Sequence, residues 1–509
     1  MSESQTLRNN TWSTQLTFHA LARPEDAAIR FGGETLTWRE LDRRVTQLAS
    51  WLVSRGVSKG SRVALVMGNR PEFLETMYAC ARVGAIAVPI NFRLTAPEID
   101  YILTNSGASV VITESLFSDA VFAAEAAQGV DVVSVGSACD EQFSQIMEEA
   151  WPEVEFDDVS GDDPAAIMYT SGTTGKPKGA VLTHNNFAAT ADVVIDAWRL
   201  STPGHVVLAA TPLFHIGGFG TTTGPLRLGT PLVIHPSVAF DPVEVLALIE
   251  AERVTATFMV PAQWQAICTQ PSASTSGAGL RVAGWGAAPA PMWLLERLGE
   301  VFESASVVAL FGQTEMSPIT CVLRGSDALR KKGSVGRPVF NVAVRVVDAD
   351  MNDVDHGEIG EIVYRGLGLM AEYWENPEAT AQAMAGGWFH SGDLVRRDSE
   401  GFVFVVDRKK DMIISGGENI YSAEVEMALS SHPGVRDVAV IGRPDEKLGE
   451  AVVAVVEPVD ISSPPDLETL VAHCRTQLAS YKKPRDLVIV EALPRNSTGK
   501  VTKQALRAE

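Results

Sequence analysis

The feature that most constrains this chain is a repeated alternation of helix-periodic segments with short β-rich runs. Between about residues 20 and 150, the helical pattern LTWRELDRRVTQLASWLVSRG (36 to 56) is followed by RVALVM (62 to 67), AIAVPI (85 to 90) and SVVITE (109 to 114). Such a rhythm builds βαβ units around a mostly parallel sheet. It returns between about 186 and 310, where the strand-like TPLVIH (230 to 235) and TATFMV (255 to 260) flank a helical DPVEVLALIEAER (241 to 253). Two similar α/β subdomains are expected. Residues 334 to 407 read instead as short strands broken by Gly and Asn turns (VAVRVVD, EIVYRG, FVFVVD), the pattern of a small β-barrel-like unit. After residue 407 a further alternation begins, with strands at 438 to 442, 451 to 458 and 487 to 490 and a helix from about 466 to 481. The expected organisation is a large N-terminal domain over 1–407 and a small α+β C-terminal domain over 408–509. At 509 residues the chain is too long for a single core.

Charge narrows the partners. The 42 Lys and Arg against 63 Asp and Glu give a net charge of −21, which repels nucleic acid and anionic lipid over the molecule as a whole. A polyphosphate ligand would have to be held by a local cluster of donors and a metal ion. Five scattered cysteines without a CxxC pair suggest neither a disulfide framework nor a zinc site, and fit a reducing cytoplasm. The N-terminus MSESQTLRNNTW lacks the basic and apolar regions of a secretory signal. No apolar run approaches the roughly 18 residues of a membrane span.

The sharpest local signal is YTSGTTGKPKG, residues 169 to 179, which packs three glycines, four aliphatic hydroxyls and two lysines into eleven positions. Glycines let backbone N–H groups approach an anion closely; hydroxyls donate to it and lysines add charge. It is not a Walker A loop, because Lys176 is followed by Pro177 rather than by Ser or Thr. The strand-like flanks AAIMY (165 to 169) and AVLTH (180 to 184) make it a connection between two strands. A generic Gly/Ser/Thr stretch would be a surface hairpin; the ordered mixture with two lysines favours a phosphate cradle.

YTSGTTGKPKG resembles the phosphate loop of the adenylate-forming superfamily, which contains acyl- and aryl-CoA synthetases, luciferase and peptide-synthetase adenylation domains. Further segments carry the likeness in order along nearly the whole chain. By that resemblance, residues Thr170, Ser171, Gly172, Thr173, Thr174, Gly175, Lys176 and Lys178 bind the phosphates of ATP. In TPLFHIGG, His215 lies beside the carboxylate pocket, although a lone His after an apolar run is more often a packed core residue. In WGAAPAP, Gly286, Ala287 and Ala288 lie along adenine. In FGQTE, Phe311 stacks on adenine beside Gly312 and Gln313, Thr314 meets the α-phosphate, and Glu315 holds Mg²⁺ with Thr170. Asp393 of GWFHSGDL and Arg408 of DRKKD reach the ribose, and Lys410 is the hinge of a mobile C-terminal domain. Lys409 reads as a solvated linker residue. Ser415, Gly416 and Gly417 border a pantetheine tunnel, and Lys500 of PRNSTGKV is the catalytic lysine.

The chemistry implied is attack of a carboxylate on the α-phosphorus of ATP, then capture of the acyl adenylate by coenzyme A. ATP, Mg²⁺, CoA and a small-molecule carboxylic acid are the expected ligands, and a homodimer is compatible. Amino-acid-activating relatives pair the substrate ammonium with an aspartate where this chain has Phe214 and His215, so amino acids are disfavoured. Medium- or long-chain fatty acids are the first expectation, through a likeness to actinobacterial fatty-acid CoA ligases; aryl or alicyclic acids are second. A nucleotide-binding regulator would not need Glu315, Asp393, Arg408 and Lys500 together. A luciferase-like oxygenase would share every adenylation residue.

Overall fold

A computed structural model describes residues 11–508 apart from 137–141, 153, 155, 157, 171–175, 237, 289, 329, 416–417, 446, 476 and 496–500. The chain divides into two units, residues 1–343 with 364–389, and residues 344–363 with 390–509.

Among the described residues, the first unit holds two sheets. One runs in the order Glu372–Tyr373, Lys178–Thr183, Pro164–Thr170, Ile86–Pro89, Arg62–Val66, Val110–Glu114, Asp131–Val135. Its last five strands are parallel, as buried βαβ strands of continuous Val, Ile and Ala should be. The other is nine-stranded, with Ser306–Phe311, Val282–Gly286, Ala256–Met259, Val207–Ala209 and Leu232–Ile234 parallel at its centre. One strand pair crosses the expected subdomain limits. Ala27–Phe31 and Glu34–Thr37 form a hairpin too short to bury itself, and it extends the second sheet by parallel pairing of Ile29 with Leu232.

The helices form where period and capping agree. Helix Trp38–Ser54 buries Trp38, Leu41, Val45, Leu48 and Leu52 on one face, and Thr37 and Glu40 close its N-terminus with a reciprocal capping box. Helix Leu467–Cys474 is shorter than the 466 to 481 expected. Leu470, Cys474 and Leu478 nevertheless share one buried cluster, which is why the helical period reads on past the last turn.

Val342–Val347, Ile359–Gly366, Phe389–Arg397 and Val403–Arg408, most of whose residues belong to the second unit, make a four-stranded sheet in the region expected to be all-β. Strands Val435–Asp445 and Gly449–Pro458 form a long antiparallel pair, with Asp486–Ile489 added in parallel. Helices Ser422–Ser430 and Leu467–Cys474 cover one face through Val425, Leu429, Leu470 and Cys474. No helix among the described residues is long and apolar enough to cross a membrane.

His184, first residue of helix His184–Trp198, is 1% exposed, and neither ring nitrogen has a hydrogen-bond partner among the described residues. Burial holds its pKa down to about 4; Asp163 opposes this and Lys59 adds to it. The folded state therefore keeps the ring neutral while the unfolded chain protonates near pH 6.5. This term leaves stability intact above pH 6.5 and removes about 3 kcal/mol as pH falls to 4. Urea unfolding at pH 7 and pH 4.5 should show a smaller acid loss for His184→Phe than for the wild type; equal losses would remove His184 from the account.

Candidate active site

The strands Val207–Ala209, Ala256–Met259, Val282–Gly286 and Ser306–Phe311 all end on one edge of their sheet, since they run parallel. Ligands of open α/β sheets bind at that carboxyl edge. Two close backbone approaches shape it. A Cβ on Gly286 would stand 2.2 Å from the Leu310 carbonyl oxygen, and one on Gly312 would stand 1.8 Å from that of Pro318, so neither position accepts a side chain. Ala287 follows with a left-handed φ of 65°, unusual for a residue bearing a Cβ, and Ala287 and Ala288 are exposed beyond the strand end. Phe311 ends the neighbouring strand half-buried, and Gln313, two residues on, has a buried Nε2 without a hydrogen-bond partner among the described residues. The adenine-contact segments expected from the sequence thus share one edge.

His215 lies on the same edge, after the strand Val207–Ala209. Its Nδ1 accepts the Gly217 N–H at 3.1 Å, so the imidazole caps helix Ile216–Leu228. Beside it Phe214 meets Phe92 edge-on at 5.3 Å, and Phe92 stacks on Phe117 at 4.3 Å.

The loop expected to cradle phosphate does join two strands: Pro164–Thr170 and Lys178–Thr183 are antiparallel, with Thr170 opposite Lys178. Ser171, Gly172, Thr173, Thr174 and Gly175 lie outside the described residues. At the loop's ends the Thr170 hydroxyl donates to the Lys178 carbonyl at 3.4 Å, and the Lys176 ammonium sits 5.4 Å from the Tyr101 ring. The Tyr101 hydroxyl in turn donates to the Pro177 carbonyl at 3.0 Å.

Tyr373 joins this loop to the FGQTE segment, and sequence reasoning missed it. Its backbone pairs with Ala180. Its hydroxyl donates to Glu315 Oε1 at 2.8 Å, and its ring lies 5.2 Å from the Lys178 ammonium. Met370 N–H donates to the Glu315 carbonyl at 2.8 Å, so the 370–373 segment grips Glu315 by backbone and side chain. Burial, then the Glu315 carboxylate, raise the Tyr373 pKa, so the phenol stays a donor. The Thr314–Met316 turn packs beside strand Lys178–Thr183. No spacing in AEYWENPEAT distinguishes Tyr373 from a core aromatic.

In the second unit Asp393 and Arg408 face one another in register across strands Phe389–Arg397 and Val403–Arg408. Asp393 is 3% exposed and takes the Arg408 guanidinium at 2.5 Å. Lys410 is exposed in the turn that follows. Lys409 is exposed, its side chain 57% accessible, and its ammonium reaches Glu361 at 3.1 Å. Burial opposes ionisation of Glu361, but donors from His390, Lys409 and the Gly392 N–H together lower its pKa. Ser415 is buried at the end of strand Ile413–Ser415; Gly416, Gly417 and Lys500 lie outside the described residues.

No group of three or more His, Cys, Asp or Glu side chains able to hold a metal occurs among the described residues. Glu315 and Thr170 offer only oxygen donors. A single carboxylate with a hydroxyl suits Mg²⁺, which keeps waters and takes its remaining ligands from substrate phosphates.

Residues 16–374 match the AMP-binding enzyme family, and residues 424–500 match the AMP-binding enzyme C-terminal domain. The chain is 41% identical over 505 residues to a feruloyl-CoA synthase of Amycolatopsis sp, covering 98% of this chain and 99% of that protein. It is 39% identical to the long-chain-fatty-acid–CoA ligase FadD13 of Mycobacterium tuberculosis, with 93% of each chain covered. The fold superposes on ATP-bound MatB from Rhodopseudomonas palustris with a TM-score of 0.89 at 31% identity, covering 98% of both chains. A chain matched from end to end in this way belongs to the AMP-binding enzyme family and is an ATP- and CoA-using, AMP-forming acyl- or aryl-CoA ligase.

Proposed function

We propose that the chain activates a monocarboxylic acid with a large apolar body, that an aryl acid of the cinnamate type is its first substrate class, and that Mg²⁺–ATP binds around Glu315. The observation that carries the site is the junction of Glu315, Tyr373 and Lys178 at the mouth of the 170–178 loop. The aryl preference has two supports: end-to-end similarity to a feruloyl-CoA synthase, and the Phe92, Phe117 and Phe214 cluster next to His215. A medium- or long-chain fatty acid is a second reading, favoured by the similarity to FadD13.

In this reading the substrate carboxylate oxygen forms a bond to the α-phosphorus while the bond to the pyrophosphate oxygen breaks. Lys176, Lys178 and the loop hydroxyls spread the phosphate charge, and Lys500 approaches the transferring group. Bound Mg²⁺ would neutralise phosphate charge beside Glu315 and Thr170. Gly286, Ala287, Ala288 and Phe311 leave room for adenine, and Asp393 with Arg408 receives the ribose. The CoA thiolate then attacks the acyl carbonyl carbon, and AMP departs with the electron pair of the broken C–O bond. Lys410 is the pivot that exchanges the Lys500 loop for Ser415, Gly416 and Gly417 between the two steps.

Ferulate, cinnamate, laurate and palmitate, assayed for AMP release with and without CoA, should rank the cinnamates highest by kcat/KM. A preference for laurate or palmitate would install the second reading. Lys500→Ala should lower acid-dependent pyrophosphate release by about 100-fold or more while sparing thioester formation from a supplied acyl adenylate. Tyr373→Phe frees the Glu315 carboxylate and should raise the Mg²⁺ concentration needed for half-maximal adenylation by about tenfold, the scale of one charge-assisted hydrogen bond. An unchanged Mg²⁺ requirement would show that Tyr373 does not set Glu315.

A further inference from the structure

Beyond the proposed hinge, the second unit contains a buried polar network that no step of the reaction yet uses. Asp407, 5% exposed, ends the run that leads into Arg408 and Lys410. Its carboxylate accepts the Ser422 N–H and the Ser422 hydroxyl, the latter at 2.9 Å. The Lys503 ammonium reaches the same Ser422 oxygen at 2.7 Å and pairs with Glu426 at 2.7 Å. Glu426 also accepts the Val440 N–H at 2.7 Å, which ties helix Ser422–Ser430 to strand Val435–Asp445. Burial pushes the carboxyls of both Asp407 and Glu426 upward, and Lys503 draws both back down. Arg507 pairs with Asp411 at 2.9 Å, so the helix Lys503–Ala508 is tied directly to the chain after 408–410 and, through Ser422, to Asp407 before it.

The segment just before Lys503 is held from its other end too. Thr502 N–H donates to the Pro494 carbonyl at 2.8 Å, Arg495 bridges to Val501, and the Arg495 guanidinium pairs with Asp437. Lys503 follows Lys500 by three positions, at most about 11 Å of extended chain. Whatever fixes Lys503 therefore bounds the reach of Lys500.

We infer that Lys503 is a positioning residue for the adenylation half-reaction: its bonds to Glu426 and, through Ser422, to Asp407 anchor the tail that presents Lys500 and couple it to the residues flanking Lys410. This deepens the proposed function and rests on its assignment of Lys500. The chemistry favours anchoring over direct contact with ATP. The Lys503 side chain is 15% exposed and two donors of its ammonium are engaged by protein oxygens, which leaves little for a phosphate. A lost anchor would misplace the lysine by an ångström or more, enough to cost about 100-fold in a step that depends on position.

The test uses the full-length chain and an acid that the wild type turns over, and it measures two half-reactions separately: pyrophosphate release from acid and ATP without CoA, and thioester formation from the supplied acyl adenylate and CoA. Lys503→Met should lower kcat for the first by about 10- to 100-fold with KM for ATP within about threefold, and leave the second within about threefold. Lys503→Arg should restore most of the loss, because it keeps the charge at similar reach. Glu426→Gln should reproduce the Lys503→Met split more weakly, and it serves if Lys503→Met fails to fold. Equal loss in both half-reactions, no loss in either, or a loss that Lys503→Arg leaves unrescued would each overturn the inference. Lys500→Ala run in parallel separates the two failures: if it retains adenylation the assignment of Lys500 falls, whereas if it loses adenylation and Lys503→Met does not, only the anchoring role falls.

Discussion

The hydrogen bond from Tyr373 to Glu315 is the contact on which the geometry of the first unit's site depends. Glu315 follows a strand end in a short turn, where a carboxylate left alone would sample several rotamers. Tyr373 restricts it, and the same residue is fixed to strand Lys178–Thr183 by its backbone and lies against the Lys178 ammonium. One side chain therefore sets the distance between the acidic FGQTE segment and the basic loop. Those two segments lie on different sheets, and the Met370 N–H to the Glu315 carbonyl joins the Tyr373 hydroxyl in linking them.

A chain with a net charge of −21 meets a polyanionic ligand at a disadvantage unless positive charge is gathered locally. Lys176 and Lys178 do this at the base of the loop, each held against a tyrosine ring. In the proposed reading, that contact limits the entropy lost when either side chain is fixed on phosphate. Gly286 and Gly312 serve the same end differently: with no Cβ, they let adjacent strand ends close up and leave the edge open for a flat ring. The site is thus built from close backbone approach on one side and paired charge on the other.

Much of the fold was legible because hydrophobic period and strand composition are local properties. Arg62–Val66, Val110–Glu114 and Ala256–Met259 fall where β-rich runs stand in the chain. The pairing of Ala27–Phe31 with Leu232–Ile234 was not legible, since partner choice between strands about 200 residues apart leaves no mark on either strand. For the site, residues within tight motifs could be named in advance; Thr170, Phe311 and Glu315 each carry a chemical type at a distinctive spacing. Tyr373 could not, because its importance comes from the sheet edge that carries it to Glu315. The partner of exposed Lys409 was not legible for a similar reason: Glu361 lies 48 residues earlier and is brought close only by the sheet.

In the proposed site Glu315, set by Tyr373, marks where the metal-bound phosphates of ATP lie. Crystals grown with ATP and Mn²⁺ in place of Mg²⁺ test it most directly, through the anomalous scattering of manganese. The account predicts an anomalous peak about 2.1 Å from a Glu315 carboxylate oxygen, with the triphosphate between that peak and the 170–178 loop. A peak coordinated elsewhere, with the nucleotide away from Glu315, would contradict it.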